Sequence, residues 1–202
     1  MIARRAPACR GTLFETAAAT FAAASLLLTA AITSSQAGSD TTALQPWRAG
    51  VAPAFKLPSV PSGQPIQLNS QRGRVVLVHF FATWCEPCRE ELPALRRLVA
   101  RAEPGSLAVL AIAVADINLR VERFLQAIPV NFPVLLDRDR AVAKAWTIST
   151  LPSTVILDSN LKPRLGIEAD FAWDQVEPGA LIDRIKSAQR DKLAKFPKEQ
   201  TP

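Results

Sequence analysis

The stretch VVLVHFFATWCEPCREELP, residues 75–93, decides how the rest of this chain is read. Its first seven residues form an apolar run of β-formers broken only by His79, which suits a central strand covered on both faces. Beyond Glu86, Leu92, Leu95, Leu98 and Val99 recur at helical spacing, predicting a helix over residues 86–102. Between strand and helix stand Cys85-Glu86-Pro87-Cys88. A zinc site would need two more ligands at suitable spacing, yet the chain holds three cysteines and one histidine in all. A structural disulfide across so short a loop would constrain the unfolded chain little. A redox-active pair is the reading that fits a position after a buried strand and at a helix start.

That placement has physical consequences. Residues i and i+3 share a helix face, so the two sulfurs reach bonding distance with little backbone movement. Unpaired N–H groups and the partial positive charge of the helix N-terminus lower the pKa of the first thiol. Cys85 is therefore the expected nucleophile. Cys88, one turn in and more buried, is the expected resolving thiol. Pro87 costs little in the first turn, where its missing N–H has no partner to lose. Pro93 lies deep enough to kink the helix.

Working outward, the chain has 202 residues, 49% hydrophobic and 21% charged, with a formal charge of +6. This is the size of about one folded domain with appendages, and excludes wholesale disorder or a polytopic membrane protein. Residues 1–15 carry Arg4, Arg5 and Arg10 against Glu15, and residues 16–33 are uncharged, with 13 of 18 positions Ala, Leu, Ile or Phe. Small residues follow at Ser35 and Ala37. This order reads as an export signal over residues 1–37, cleaved after the small-residue site; an uncleaved membrane tether through residues 16–33 is the rival reading. Without residues 1–37 the chain keeps 21 basic and 17 acidic residues, a charge of +4. No basic run is interleaved with aromatics, so nucleic acid is not an expected partner. Cys9 goes with the leader, which leaves Cys85 and Cys88 as the only thiols, in a compartment that permits disulfides.

Residues 38–50 read as a linker, and the proline-rich residues 51–68 admit only short edge strands or hairpin pieces. Further strands are expected over residues 107–115, 132–136, 154–158 and 165–168, the last two around a turn at Ser159-Asn160. Helices are expected over residues 119–128, 141–146 and 179–188, with residues 189–202 as a flexible tail. The alternation gives an α/β domain over residues 51–188 with three layers and a largely parallel core.

The segment from Val78 to Pro93 resembles the active-site region of thioredoxin-like proteins, and more closely the TlpA/ResA branch of bacterial envelope thiol–disulfide reductases. Ala52-Pro53-Ala54-Phe55 followed by Leu57 resembles that branch's N-terminal hairpin, and Leu151-Pro152-Ser153-Thr154 its proline loop. The resemblance implies a thioredoxin-like α/β/α sandwich with an N-terminal β-hairpin and an extra strand–helix insert, to which residues 115–128 contribute. It implies that Pro152 is cis, faces the dithiol and, with Leu151, offers backbone groups to an incoming peptide.

Around the sulfurs, His79 stands where thioredoxins place a buried aspartate and TlpA-like proteins often asparagine. It is either a neutral imidazole that accepts a proton from Cys88 or a core histidine satisfied by a backbone partner. Glu91 matches an acid that TlpA/ResA-type proteins keep near the dithiol, where it would raise the thiol pKa values; a solvated helix acid is the plainer alternative. Glu86 could tune potential, contact partners or simply be surface charge, and Arg89 and Glu90 are read as solvated. Trp84 is expected on the docking surface and Trp146 in the core, while Trp47 and Trp173 carry no assignment. Asp170, Asp174 and Glu177 are too dispersed for a calcium site.

These readings together describe an exported reductase of client protein disulfides that needs no bound cofactor. By resemblance its electrons come from a membrane thiol reductase, and its clients include apocytochrome c or copper-site proteins. A disulfide oxidase or isomerase of the same fold is the first rival. A copper metallochaperone using the two thiols is the second, weakened by the lack of a further Met or free His ligand. A peptide-binding module with a vestigial dithiol is the third.

Overall fold

A seven-residue run that is apolar except for His79 can be buried only if both faces of its strand are covered, and the computed structural model shows how this is done. It describes residues 43–48 and 50–194, with side chains as far as residue 190. The expected leader, residues 1–37, lies outside the described residues. Val75–Phe81 (β4) sits inside an eight-stranded sheet and is buried at every position. The other strands are Gln45–Pro46 (β1), Lys56–Val60 (β2), Pro65–Gln67 (β3), Leu107–Val114 (β5), Val134–Asp137 (β6), Ser153–Leu157 (β7) and Pro163–Ile167 (β8). Their order across the sheet is β1-β8-β7-β4-β5-β6-β2-β3. Only β4–β5 and β5–β6 pair in parallel. The sheet is therefore mixed rather than largely parallel, because β7 lies antiparallel beside β4 and β2 antiparallel beside β6, and their hairpin partners β8 and β3 extend the sheet outward.

The helices are Glu86–Arg101 (α1), Asn118–Ala127 (α2), Ala141–Ala145 (α3) and Pro178–Ala194 (α4). Alternation along β4 sorts the core into two layers. Val75 and Leu77 pack with Leu95 and Leu98 of α1 and with Leu181, Ile182 and Ile185 of α4. Phe81 continues that face under Cys88, Leu92 and the α2 residues Val121 and Phe124. Val76, Val78 and Phe80 face the other way, onto Ala143 of α3 and Trp146, as expected for a core tryptophan. The result is the thioredoxin-like α/β/α arrangement, with the β2–β3 hairpin at one end of the sheet.

Three expected boundaries move. The segment read as a linker contributes β1, which pairs with β8 through Gln45 opposite Gly166 and Pro46 opposite Leu165. Leu44 is buried, and the Trp47 ring lies where a Cβ on Gly166 would stand, at 2.2 Å from the nearest ring carbon. The segment read as a tail begins as helix, since α4 runs to Ala194. Good helix formers fill residues 187–194, and the next breaker in sequence is Pro197. The expected strand at residues 132–136 starts two residues later, beyond Pro133, which has no N–H to donate to a ladder. Helix α1 continues through Pro93. Among the described residues no helix is long and apolar enough to cross a membrane.

Candidate active site

Buried strand β4 ends at Phe81, and four residues later Cys85 is the N-cap of α1, in extended backbone conformation. The Cys85 N–H donates to the Ala82 carbonyl at 3.1 Å, which closes the turn from strand to helix. Cys88 is at the third helical position, and the two cysteines are disulfide-bonded with their Cα atoms 5.3 Å apart. Cys85 keeps 6% of its surface exposed and Cys88 none, so only the first sulfur faces an approaching partner. Just before them Trp84 is 66% exposed, an unusual cost for a large aromatic. Pro87 is exposed in the first turn, and Glu86 points into solvent with a 3.7 Å ion pair to Arg89. The Arg89 guanidinium also lies over the Phe124 ring, 5.3 Å from its centre.

The loop that presents Trp84 and Cys85 is held by a residue the sequence reading passed over. Asp116, after β5, is 1% exposed. Its Oδ2 accepts the Thr83 N–H at 2.9 Å and the Thr83 hydroxyl at 2.7 Å. Its Oδ1 takes the Ile117 N–H and one N–H of Arg120, both at 3.3 Å. Four charge-assisted contacts to one buried carboxylate thus tie the Thr83 loop to the end of β5.

Behind the sulfurs lies a buried polar group. His79 and Thr154 face each other across the antiparallel β4–β7 pair, and His79 Nδ1 is 2.9 Å from Thr154 Oγ1. The histidine's partner is thus a side-chain hydroxyl, not the backbone. Burial holds the imidazole neutral by lowering its pKa to about 3. Glu91, one turn beyond Cys88 on the same face of α1, is only 5% exposed and is not a solvated acid. Its Oε2 is 3.6 Å from His79 Nδ1, and its Oε1 accepts the Phe171 N–H.

Loss of solvent raises the Glu91 pKa to about 7. The Phe171 N–H and the neighbouring Trp173 indole pull it down, and the charge of Asp170 pushes it further up. The indole N–H is not aligned for a full hydrogen bond: Trp173 Nε1, Glu91 Oε2 and His79 Nε2 have no hydrogen-bond partner among the described residues. Trp173, unassigned from sequence, is fully buried edge-on to Phe171 and walls this group off from solvent. Asp174 forms a two-pronged bond with Arg97 instead, at 2.8 and 2.6 Å.

The Leu151–Pro152 peptide is cis. Leu151 packs against the cluster that contains both cysteines. It also lines, with Trp84, an open cavity of about 370 Å³. The loop's other end is tied down by Glu168, which accepts the Ser149 hydroxyl at 3.0 Å and also bonds Arg48 beside β1. Dithiol, exposed tryptophan, buried acid and proline loop therefore meet at one end of the sheet.

Known proteins share this fold and part of this sequence. Residues 49–163 match the model of the AhpC/TSA family. The thiol-disulfide oxidoreductase ResA of Bacillus subtilis (strain 168) is 35% identical over 107 residues, which are 53% of this chain and 59% of that protein. The match thus spans less than two thirds of that relative's length. ResA of Geobacillus thermodenitrificans is 33% identical over 126 residues, 62% of this chain and 72% of that protein. A Chlorobium tepidum structure assigned as the thiol:disulfide interchange protein DsbE superposes with a TM-score of 0.59 at 28% identity, covering 69% of this chain and 96% of that one. StoA from Bacillus subtilis, at 24% identity and a TM-score of 0.54 over 63% of this chain and 96% of its own, has the same fold. With more than half of its length matched and its dithiol at the start of α1, the chain belongs to the AhpC/TSA family and has thiol–disulfide oxidoreductases of ResA type among its relatives.

Proposed function

We propose that the protein reduces disulfides of exported client proteins by dithiol–disulfide exchange, receiving its electrons from a membrane thiol reductase. The observation that carries this reading is the asymmetry of the pair: Cys85 caps α1 at the surface beside exposed Trp84, and Cys88 is fully buried one turn later. In the reduced protein the Cys85 thiolate, favoured by the helix N-terminus, attacks a client disulfide. A mixed disulfide forms and one client sulfur leaves as thiolate. Cys88 loses its proton and attacks the Cys85 sulfur, so the second client sulfur leaves and the Cys85–Cys88 disulfide remains. Two electrons have passed to the client, and a donor dithiol restores the pair.

The group that takes the Cys88 proton is Glu91 in this reading. Its pKa near 7 suits an acceptor at neutral pH, whereas an imidazole held near 3 is a poor base. His79 instead stands beside the carboxylate as a neutral neighbour, its Nδ1 2.9 Å from Thr154 Oγ1 and 3.6 Å from Glu91 Oε2. Leu151 and Pro152 form the opposing wall on which an extended client segment rests. Export rests on the leader at residues 1–37, whether it is cleaved or kept as a tether. Clients awaiting haem or metal attachment, such as apocytochrome c, fit a reductase in that compartment.

Capture by a Cys88→Ala variant in the cell envelope tests the reading, because it should accumulate mixed disulfides through Cys85 whose partners name the pathway. If none forms, exchange chemistry is ruled out. Potentials in this fold run from roughly −270 to −120 mV. A value measured against glutathione near the upper end would turn the assignment to an oxidase or isomerase. The copper reading would rest on Cys85 and Cys88 alone, since among the described residues no three His, Cys, Asp or Glu side chains are grouped to hold a metal.

A further inference from the structure

The cavity beside the dithiol carries one charge. Its walls are apolar where Trp84, Val114, Ala143, Ile148 and Leu151 contribute, and among the described residues Arg140 is the only charged one lining it. This cation is not there by default. Arg140 is the N-cap of α3 and holds a left-handed backbone, φ 63°, which is unfavourable for a side-chain-bearing residue. Its N–H reaches the Asp137 carbonyl at 3.3 Å, and its own carbonyl accepts the Lys144 N–H at 2.9 Å. The backbone of this exposed residue is thereby fixed at the cavity rim.

The acids that could neutralise Arg140 are already engaged. Asp137 accepts the N–H groups of Val142 at 3.1 Å and Ala143 at 2.8 Å, and Asp139 accepts that of Ala141 at 3.1 Å. Among the described residues no carboxylate pairs with the Arg140 guanidinium, and none lines the cavity. An apolar bowl with a single unpaired cation matches a ligand group with an apolar stem and a carboxylate head.

We propose that this cavity selects client segments that carry an aspartate or glutamate close to the cysteine under attack, with Arg140 as the residue that reads the acid. The occupant is a client polypeptide because the bowl begins at Trp84, the residue bonded to Cys85, and ends at Leu151, the residue bonded to Pro152. A cavity of about 370 Å³ is about 9 Å across if spherical, which is about three residues of extended chain. The acid therefore sits about three residues from the client cysteine. This inference rests on the exchange chemistry proposed above.

The test uses the full chain with Cys9→Ser and Cys88→Ser, so that Cys85 is the sole thiol. Three peptides are compared, each with one cysteine capped as a mixed disulfide with 2-sulfanylethanol and with Glu, Gln or Lys three residues away. Adduct formation is followed by mass as the Cys85 thiolate displaces 2-sulfanylethanol. The Glu peptide should react about threefold faster than the Gln peptide, the range of a partly exposed ion pair, and the Lys peptide slowest. Arg140→Gln should level the three rates, and Arg140→Glu should invert the Glu-to-Lys ratio. Arg190→Glu on α4, with the same change in net charge, should leave that ratio standing. Equal rates for the three peptides, or a ratio that Arg190→Glu shifts as much as Arg140→Glu, overturns the selection by Arg140. If neither the peptides nor neutral hydroxyethyl disulfide react with Cys85, the exchange chemistry itself fails, and the selection with it.

Discussion

Replacing Glu91 by glutamine should make the protein more stable in alkali, an outcome opposite to the usual cost of disturbing a buried polar group. Burial raises the carboxyl from 4.5 to about 7. A pKa raised on folding means that the native state binds its proton more tightly than the unfolded chain. The associated stability is fully present below about pH 4.5 and is lost as pH rises through about 7. A shift of about 2.5 units at 1.36 kcal/mol each gives about 3 kcal/mol as the penalty for ionising Glu91 in the fold. Glutamine keeps an oxygen to accept the Phe171 N–H and never ionises.

The assay is urea unfolding of the oxidised protein, in which the cysteines do not titrate, at pH 5 and pH 8. The unchanged protein and the Glu91→Gln variant should agree within about 1 kcal/mol at pH 5. At pH 8 the variant should be more stable by about 3 kcal/mol. His79, lowered to about 3, has the opposite sign: its stability is present above its unfolded pKa of 6.5 and is lost as pH falls through about 3. It acts in both proteins alike, so the difference between them isolates Glu91. Parallel pH profiles would mean that the carboxyl titrates normally and has no special readiness to take a thiol proton.

Two further substitutions probe the frame around the site. Asp116→Ala leaves the buried Thr83 N–H and hydroxyl without their acceptor, and should cost about 3 kcal/mol in urea unfolding while slowing reaction at Cys85. A loss under about 0.5 kcal/mol would show that the loop holds itself. Gly166→Ala places a methyl 2.2 Å from a Trp47 ring carbon and 3.1 Å from the Thr154 carbonyl, and should cost about 1–3 kcal/mol. Adding Trp47→Ala should recover part of that loss if the ring is what the methyl meets.

Which of these features the sequence discloses follows from the range of the interactions. Strand β4 and helix α1 are legible because burial on both faces or on one stripe leaves a periodic record in consecutive residues. The dithiol is legible because its chemistry needs only positions i and i+3. Glu91 announces itself as an acid at the edge of an apolar stripe, but its partners do not: Phe171 contributes a backbone N–H and Trp173 a buried ring from a loop far along the chain. Thr154 meets His79 through antiparallel register, which no local pattern encodes. Strand β1 leaves no such record because two paired residues have no period, and it lies where the Trp47 ring covers a glycine in β8. Asp116 looks from sequence like any acid after a strand until the fold brings Thr83 to it.

The two outermost strands of the sheet bear on how such a protein survives its own occupation. A molecule that repeatedly meets unfolded, extended chains risks acquiring them as permanent extra strands, since an open sheet edge offers a row of unpaired backbone groups to any comer. Among the described residues the borders are β1, two residues long and ending in Pro46, and β3, three residues long and starting at Pro65. Each is too short to template a ladder, and each spends one of its positions on a residue with no N–H to donate. Under the function proposed above, clients are held at the cleft, where release follows the chemistry, while the margins resist the edge-to-edge growth that seeds aggregates.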